Sequence, residues 1–366
     1  MSERDYRRPT FHGFKPYVAG KPIEEVEREL GLAIPIAKLA SNENPLGPSP
    51  KAIAAIREAL PRLHLYPHDD SWYYRHAVAA HHGVAFEEVF GASGSVEVIE
   101  LCAHVFLEAG DEFVTSENTF AIYTLATLKS GARQVLAPCR DRYWYDLEAI
   151  RARITPRTKL VFLANPTNPT GTWFSRDEFD AFMAAIPEDI LVVFDEAYHH
   201  YVTRDDLPDP WAWFRRGRDV LVLRTFSKSH GLAGLRVGYA VGPARIVSGL
   251  IQGRTAFNMS SLSQVAGIAA LGDTDHVERS RAFNAREMAW MWEALRGLPV
   301  TVPPSQANFF LVDTPKDAQH LFLELQRCGV IVRPMGGYQM PNAIRVNVGL
   351  HEENERFVEG LRDLLG

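Results

Sequence analysis

The sequence predicts an α/β protein: a mostly parallel central sheet, of seven-stranded type, with helices on both faces, joined to a smaller α+β domain. Two observations carry this. Short apolar, β-rich runs alternate with helical patterns through the middle of the chain, and several of the runs are continuously apolar. Such runs suit strands covered on both faces, because a half-exposed strand alternates apolar and polar residues. After about residue 254 the alternation gives way to one long helical stretch followed by mixed strands and helices. The 366 residues, 46% hydrophobic and 23% charged, allow about two domains of ordinary globular composition.

Taken in order, residues 1–40 contain one helical pattern, 22–30, and are expected to join the small domain. Residues 41–253 form the large domain. Its strands are expected at 111–115, 159–163, 190–194 and 220–223, with a helix over 177–186 for which Ser175 is a plausible N-cap. Residues 254–366 form the small domain: a long helix over 275–298, a strand at 308–312, a helix over 317–328, and strands at 330–332 and 343–348. In sheets of the doubly wound kind, ligands sit beyond the carboxyl ends of the strands.

Bulk properties exclude several functions. A net charge of -6 offers nothing that attracts nucleic acid or an anionic membrane, and Arg215, Arg216 and Arg218 read as a solvated loop. Cys102, Cys139 and Cys328 are odd in number and widely spaced, which gives neither a disulfide framework nor a metal-ligand pattern. The 13 histidines are scattered; His81-His82 and His199-His200 are adjacent pairs, whose side chains diverge on a strand or helix rather than meeting at one ion. The start of the chain is charged and lacks an apolar h-region, and no run approaches the ~18 apolar residues of a membrane helix. The expectation is a soluble, cytoplasmic protein without a metal.

Four segments carry chemistry, each at a strand end. The first is Arg224-Thr225-Phe226-Ser227-Lys228-Ser229-His230-Gly231, continuing to Arg236. A lysine at the end of an apolar strand, among hydroxyls and glycines, suits imine formation with an aldehyde cofactor if its amine can lose a proton. Arg236, Ser227 and Thr225 can hold that cofactor's phosphate. The alternative is a solvated lysine beside a structural turn. In the second, Asp195 and Glu196 end the run 190–194 and lead to Tyr198. A carboxylate there can pair with a pyridine nitrogen and support an electron sink, or be an ordinary strand-ending acid. A metal-binding acid of a nucleotide hydrolase is also conceivable, but no GxxxxGK[ST] accompanies it. The third, Asn165-Pro166-Thr167-Asn168-Pro169, fixes a turn because proline restricts itself and its predecessor; it can aim Asn168 at a phenolic oxygen, and a cis bond at Asn168–Pro169 is expected. The fourth, Gly91-Ala92-Ser93-Gly94-Ser95-Val96, opens a helix with small residues, so its backbone N–H groups can receive a phosphate. Alone, the third is a turn and the fourth a helix start. Their convergence points to pyridoxal 5′-phosphate (PLP).

These segments resemble the fold-type I PLP aminotransferases and, more narrowly, the histidinol-phosphate aminotransferase family. The resemblance runs over essentially the whole chain. Its more specific blocks are Ser41-Asn42-Glu43-Asn44-Pro45-Leu46-Gly47, Ser305-Gln306-Ala307-Asn308-Phe309 and Gly329-Val330-Ile331-Val332-Arg333-Pro334. It implies that Lys228 holds PLP as an imine and later moves the proton. Asp195 would pair with the pyridine nitrogen, and Asn168 and Tyr198 would hold the phenolic oxygen. Phe120 would stack on the ring, while Ser95, the Val96 backbone, Thr225, Ser227 and Arg236 would cradle the phosphate. Tyr66 would reach that phosphate from a partner subunit, which implies a homodimer with shared sites. Arg345 would grip the carboxylate of amino acid substrates, for which a planar bidentate fork is suited. Arg333, Tyr17 and Asn44 would add substrate contacts. The implied reaction moves an amino group between L-histidinol phosphate and 2-oxoglutarate, in histidine biosynthesis.

Two positions depart from the family pattern. Val96 stands where an acidic or amide residue is common, and Ala256 where proline is usual, in a segment that approaches the substrate. Relatives with nearly the same motifs act on aromatic or other amino acids, which is the second expectation. A PLP-dependent decarboxylase shares the scaffold and would release carbon dioxide. A non-catalytic binding protein need not have kept Lys228, Asp195 and Arg236 together.

Overall fold

The computed structural model describes residues 4–8, 11–12, 20–31 and 35–366. Strand β1 (Ala37–Lys38) precedes β2 (Val89–Ala92), β3 (Glu112–Ser116), β4 (Arg133–Ala137), β5 (Thr158–Ala164), β6 (Leu191–Asp195), β7 (Val220–Thr225) and β8 (Gly238–Val241). Strands β2 to β8 form one seven-stranded sheet in the order β2-β8-β7-β6-β5-β3-β4. β8 runs antiparallel to both its neighbours; the other pairings in this sheet are parallel.

The continuous apolar runs become intelligible residue by residue. Successive side chains on a strand point to opposite faces, and here each face has its own core. Val161 and Leu163 of β5, Val192 and Phe194 of β6, and Val220 and Val222 of β7 pack with helices Trp72–His82, Arg176–Ala185 and Ser261–Leu271. Leu160 and Phe162, Leu191 and Val193, and Leu221 and Leu223 pack on the other side with helices Ser95–Phe106, Ala121–Ser130 and Ala244–Gly253. A strand buried on both faces has no place for a polar alternation. Helix Arg176–Ala185 begins as its sequence predicts: Ser175 accepts from the Glu178 N–H, and Glu178 reaches back to the Ser175 N–H, the reciprocal capping box.

The last third adds β9 (Phe309–Asp313), β10 (Val330–Ile331), β11 (Arg333–Pro334) and β12 (Ala343–Asn347). β11, β12 and β9 make an antiparallel sheet, while β1 and β10 pair in parallel. Helices Thr274–Leu295, Ala318–Arg327 and His351–Leu365 enclose a separate core with Phe310, Val312, Ile344 and Val346. The early β1 therefore packs with the C-terminal part of the chain, through Ala37 and Leu39. Helix Ser261–Leu271, which follows residue 253, packs through Ala266 and Ala270 against the large sheet's core. No helix among the described residues is long and apolar enough to cross a membrane.

Candidate active site

A cavity of about 270 Å³ opens where the carboxyl ends of β5, β6 and β7 face the small sheet. Lys228, three residues beyond β7, is half-buried in its wall. The Lys228 Nζ donates to the carbonyls of Ser41 (3.2 Å) and Asn42 (3.1 Å). Burial and, next, the Arg345 guanidinium bring its pKa down to about 7; Arg236 adds to this and Glu43 opposes it. Asp195, the last residue of β6, is buried. It accepts from the Tyr123 hydroxyl (2.9 Å) and the Ala197 N–H (3.0 Å). Burial nevertheless pushes its carboxyl up to about 6, with the Lys228 charge opposing, as expected of a buried carboxylate that forms no ion pair with the described residues.

Asn168 follows β5 on a loop with cis peptides at both Asn165–Pro166 and Asn168–Pro169; the second was expected, the first was not. Its side-chain oxygen accepts from Arg345 Nη1 (2.5 Å), so its NH₂ faces the Tyr198 hydroxyl (3.4 Å). Arg345 also donates to the Ala40 carbonyl (2.9 Å). Arg333 and Arg345 are register partners on β11 and β12, and both line the cavity.

The anion cradle combines a helix start with side chains that follow β7. Gly94 has φ 80°, and a Cβ placed on it would come within 2.6 Å of Arg236 Nη2. The glycine thus lets the Arg236 guanidinium lie against the start of helix Ser95–Phe106. Thr225 donates to Ser227 Oγ (2.9 Å), and Arg236 reaches the same oxygen at 3.4 Å. Ser95, Val96, Thr225, Ser227 and Arg236 all line the cavity, and half-buried Phe120 forms a side wall.

Most of the residues singled out in the sequence therefore come together. Three do not. Tyr66 is 83% exposed, stacks on Phe257 at 4.8 Å between ring centroids, and does not line the cavity. Asn44 is turned elsewhere: its NH₂ donates to the Ser229 carbonyl (2.9 Å) and Ser280 Oγ (2.8 Å), and its oxygen accepts from the Leu46 N–H. Tyr17 lies outside the described residues. Sequence reasoning missed Tyr123, Asn42 and Glu43. Tyr123 stands three residues after Phe120, close to one helical turn, a spacing that brings two side chains to one face. Asn42 and Glu43 sit beside the chosen Asn44, and nothing in their order says which of the three enters the site.

The donor set fits PLP: an anion cradle with an arginine at a helix N-terminus, a buried carboxylate that forms no ion pair with the described residues, and an amine whose pKa is lowered. Among the described residues no group of three or more His, Cys, Asp or Glu is arranged to hold a metal ion.

A doubly wound fold with this constellation at its strand ends defines an amino-group-transferring enzyme of the PLP type. The match to aminotransferase class I and II spans residues 34–361, and the chain belongs to that family. Among its relatives, a histidinol-phosphate aminotransferase of Anaeromyxobacter is 48% identical over 98% of both chains. One from Moorella thermoacetica is 43% identical over 98% of this chain and 92% of its own. A histidinol-phosphate aminotransferase from Sinorhizobium meliloti, solved with pyridoxal 5′-phosphate, superposes with a TM-score of 0.89 at 29% identity, covering 99% of each chain. An aspartate aminotransferase from Thermus thermophilus shares the fold at 22% identity and a TM-score of 0.87.

Proposed function

We propose that this enzyme transfers the amino group of L-histidinol phosphate to 2-oxoglutarate, with PLP held at Lys228. The observation that carries the substrate assignment is the pair of arginines on one wall. Arg345 and Arg333, side by side on β12 and β11, line the same cavity as Lys228 and Asp195. Two forks suit substrates with two anionic groups, or with one dianionic phosphate. 2-Oxoglutarate supplies two carboxylates; histidinol phosphate supplies the phosphate. The 48% identity to a histidinol-phosphate aminotransferase supports the same choice.

Bound here, PLP supplies an aldehyde that condenses with amines and a pyridinium ring that takes up the electron pair left by a departing proton. Asp195 would hold the ring nitrogen protonated, and its pKa would fall once that cation faces it. Ser95, Val96 N–H, Thr225, Ser227 and Arg236 would hold the phosphate, with Phe120 against the ring. Asn168 and Tyr198 would donate to the phenolic oxygen. Lys228 Nζ, about half of it neutral at pH 7, would take the proton from the substrate's amine-bearing carbon and return one during the second half-reaction. Arg345 would hold the substrate's anionic group, so that this carbon lies within reach of Nζ.

The chain would work as a cytoplasmic homodimer. An exposed apolar cluster supports the dimer: Leu63, Leu65, Tyr66, Trp72, Tyr73 and Phe257 are each more than 40% exposed. A cluster of that kind marks an association surface, and Tyr66 within it would serve the neighbouring site. Light scattering that gave a monomer would remove the shared-site reading.

The test of the substrate is a half-reaction. The PLP-loaded enzyme is mixed separately with L-histidinol phosphate, phenylalanine, tyrosine and histidine, and its visible band is followed. Rapid conversion to the pyridoxamine form by histidinol phosphate alone is expected. Conversion by the aromatic amino acids, with histidinol phosphate inert, would keep the chemistry and overturn the substrate.

A further inference from the structure

We infer that Asn42 is a positioning residue: its side-chain amide fixes the direction in which Tyr198 donates its proton. The inference deepens the function proposed above and rests on PLP being held at Lys228. Asn42 is buried, with a φ of 54° that asparagine tolerates better than most residues. Three of its groups are engaged. Its N–H donates to Asn347 Oδ1 (2.9 Å), its carbonyl accepts from Lys228 Nζ (3.1 Å), and its Nδ2 donates to the Tyr198 hydroxyl (2.9 Å). Asn347 lies two residues beyond Arg345 on β12. One residue thus ties the small sheet to both the lysine and the tyrosine of the site.

A phenol has few ways to hydrogen-bond. Its oxygen carries two acceptor lone pairs and one proton. Here two amides aim N–H groups at that oxygen: Asn42 at 2.9 Å and Asn168 at 3.4 Å. The Asn168 amide is oriented by Arg345, which occupies its oxygen. With both lone pairs taken by donors, the phenolic proton must point away from both amides. Tyr198 lines the cavity, so the direction left open is the one in which the cofactor's phenolic oxygen would be held. Asn42 Oδ1 is buried with no partner among the described residues, and the amide's contact with Tyr198 is through its nitrogen.

The visible chromophore of the loaded enzyme reports this directly. A donor aimed at the cofactor's phenolic oxygen favours the form with more negative charge there, which is the deprotonated one, and so lowers the pH midpoint of the spectral transition. Asn42→Asp keeps the size and tolerates the backbone, but replaces a donor with an anionic acceptor that captures the Tyr198 proton. The midpoint should rise by about one pH unit, toward that of Tyr198→Phe. Because a new anion also raises the midpoint by its charge alone, the double variant decides. In the Tyr198→Phe background Asn42→Asp should add less than half of its single-variant shift.

Asn42→Gly keeps the positive φ and removes the amide, and its midpoint should lie between wild type and Asn42→Asp. A full shift for Asn42→Asp in the Tyr198→Phe background would overturn the inference. So would an unmoved midpoint in Asn42→Asp, as expected if the amide were turned the other way, or a glycine variant that shifts as far as the aspartate. Absence of any pH-dependent visible band in wild type would instead overturn the cofactor reading on which the inference depends.

Discussion

The lowered pKa of Lys228 has a consequence that can be measured before any substrate is known. Its amine lies at about 7 instead of 10.5, through burial first and the Arg345 guanidinium second. That difference disfavours the ammonium by about 5 kcal/mol. At pH 7 the neutral fraction rises from about 0.03% to about one half. Only the neutral amine has a lone pair with which to attack an aldehyde. When cofactor-free protein is mixed with PLP in a stopped-flow instrument, the capture rate should rise through a midpoint near pH 7 and then level off. The reagent's own titrations are divided out with N-acetyl-lysine under the same conditions.

Arg345→Gln removes one cation, and the midpoint should move up by about half to one pH unit. Stability gives a second readout with a definite sign. The folded-state pKa lies below the unfolded one, so the penalty on the ammonium is fully present below about pH 7 and is relieved as the pH rises toward 10.5. Between pH 7 and 9 the cofactor-free Tm should therefore climb more in wild type than in Lys228→Met. A wild-type capture midpoint near 10, or identical pH slopes for the two proteins, would refute the reasoning.

Other outcomes follow from the same geometry. Asp195→Asn removes the carboxylate expected to keep the ring nitrogen protonated; kcat should fall by about 10²–10³, checked by steady-state kinetics on protein with full cofactor occupancy. Arg345→Ala should cost about 2–4 kcal/mol in kcat/KM for both substrates, the range for losing one side of a buried charged pair. Gly94→Ala forces a Cβ to within 2.6 Å of Arg236 Nη2 at a φ of 80°; the PLP Kd should rise at least about tenfold, measured by equilibrium dialysis. Tyr123→Phe removes a hydrogen bond that lowers the Asp195 pKa, so in the cofactor-free protein that carboxyl should titrate above pH 6, read by carbonyl NMR.

The fold was legible where one side-chain pattern admitted one structure. The uninterrupted apolar runs at β5, β6 and β7 require cover on both faces, and they receive it. The site was legible for a related reason: Asp195, Asn168 and Lys228 each follow such a run, and parallel strands bring their ends together. The order of the strands was not legible. Nothing in Gly238-Tyr239-Ala240-Val241 distinguishes an antiparallel strand inserted between β2 and β7, because strand direction is set by connections rather than by local composition. Asn42, rather than Asn44, is turned toward Tyr198 for a backbone reason. The left-handed turn at Asn42 directs that amide to Tyr198, while Asn44 is consumed by Ser229 and Ser280. Tyr123 was hidden by its type, since a fully buried tyrosine in an apolar helix reads as core until its hydroxyl is seen on Asp195.

The claim on which the rest depends is that one lysine carries the cofactor. Reducing the PLP-loaded enzyme with borohydride and digesting it with trypsin tests this without any assumption about substrate. The cofactor's mass should appear on the peptide from Thr225 to Arg236, uncleaved at Lys228, and the Lys228→Met protein should carry none. A label found on Lys38, Lys129 or another lysine, with residue 228 unmodified, would contradict the account.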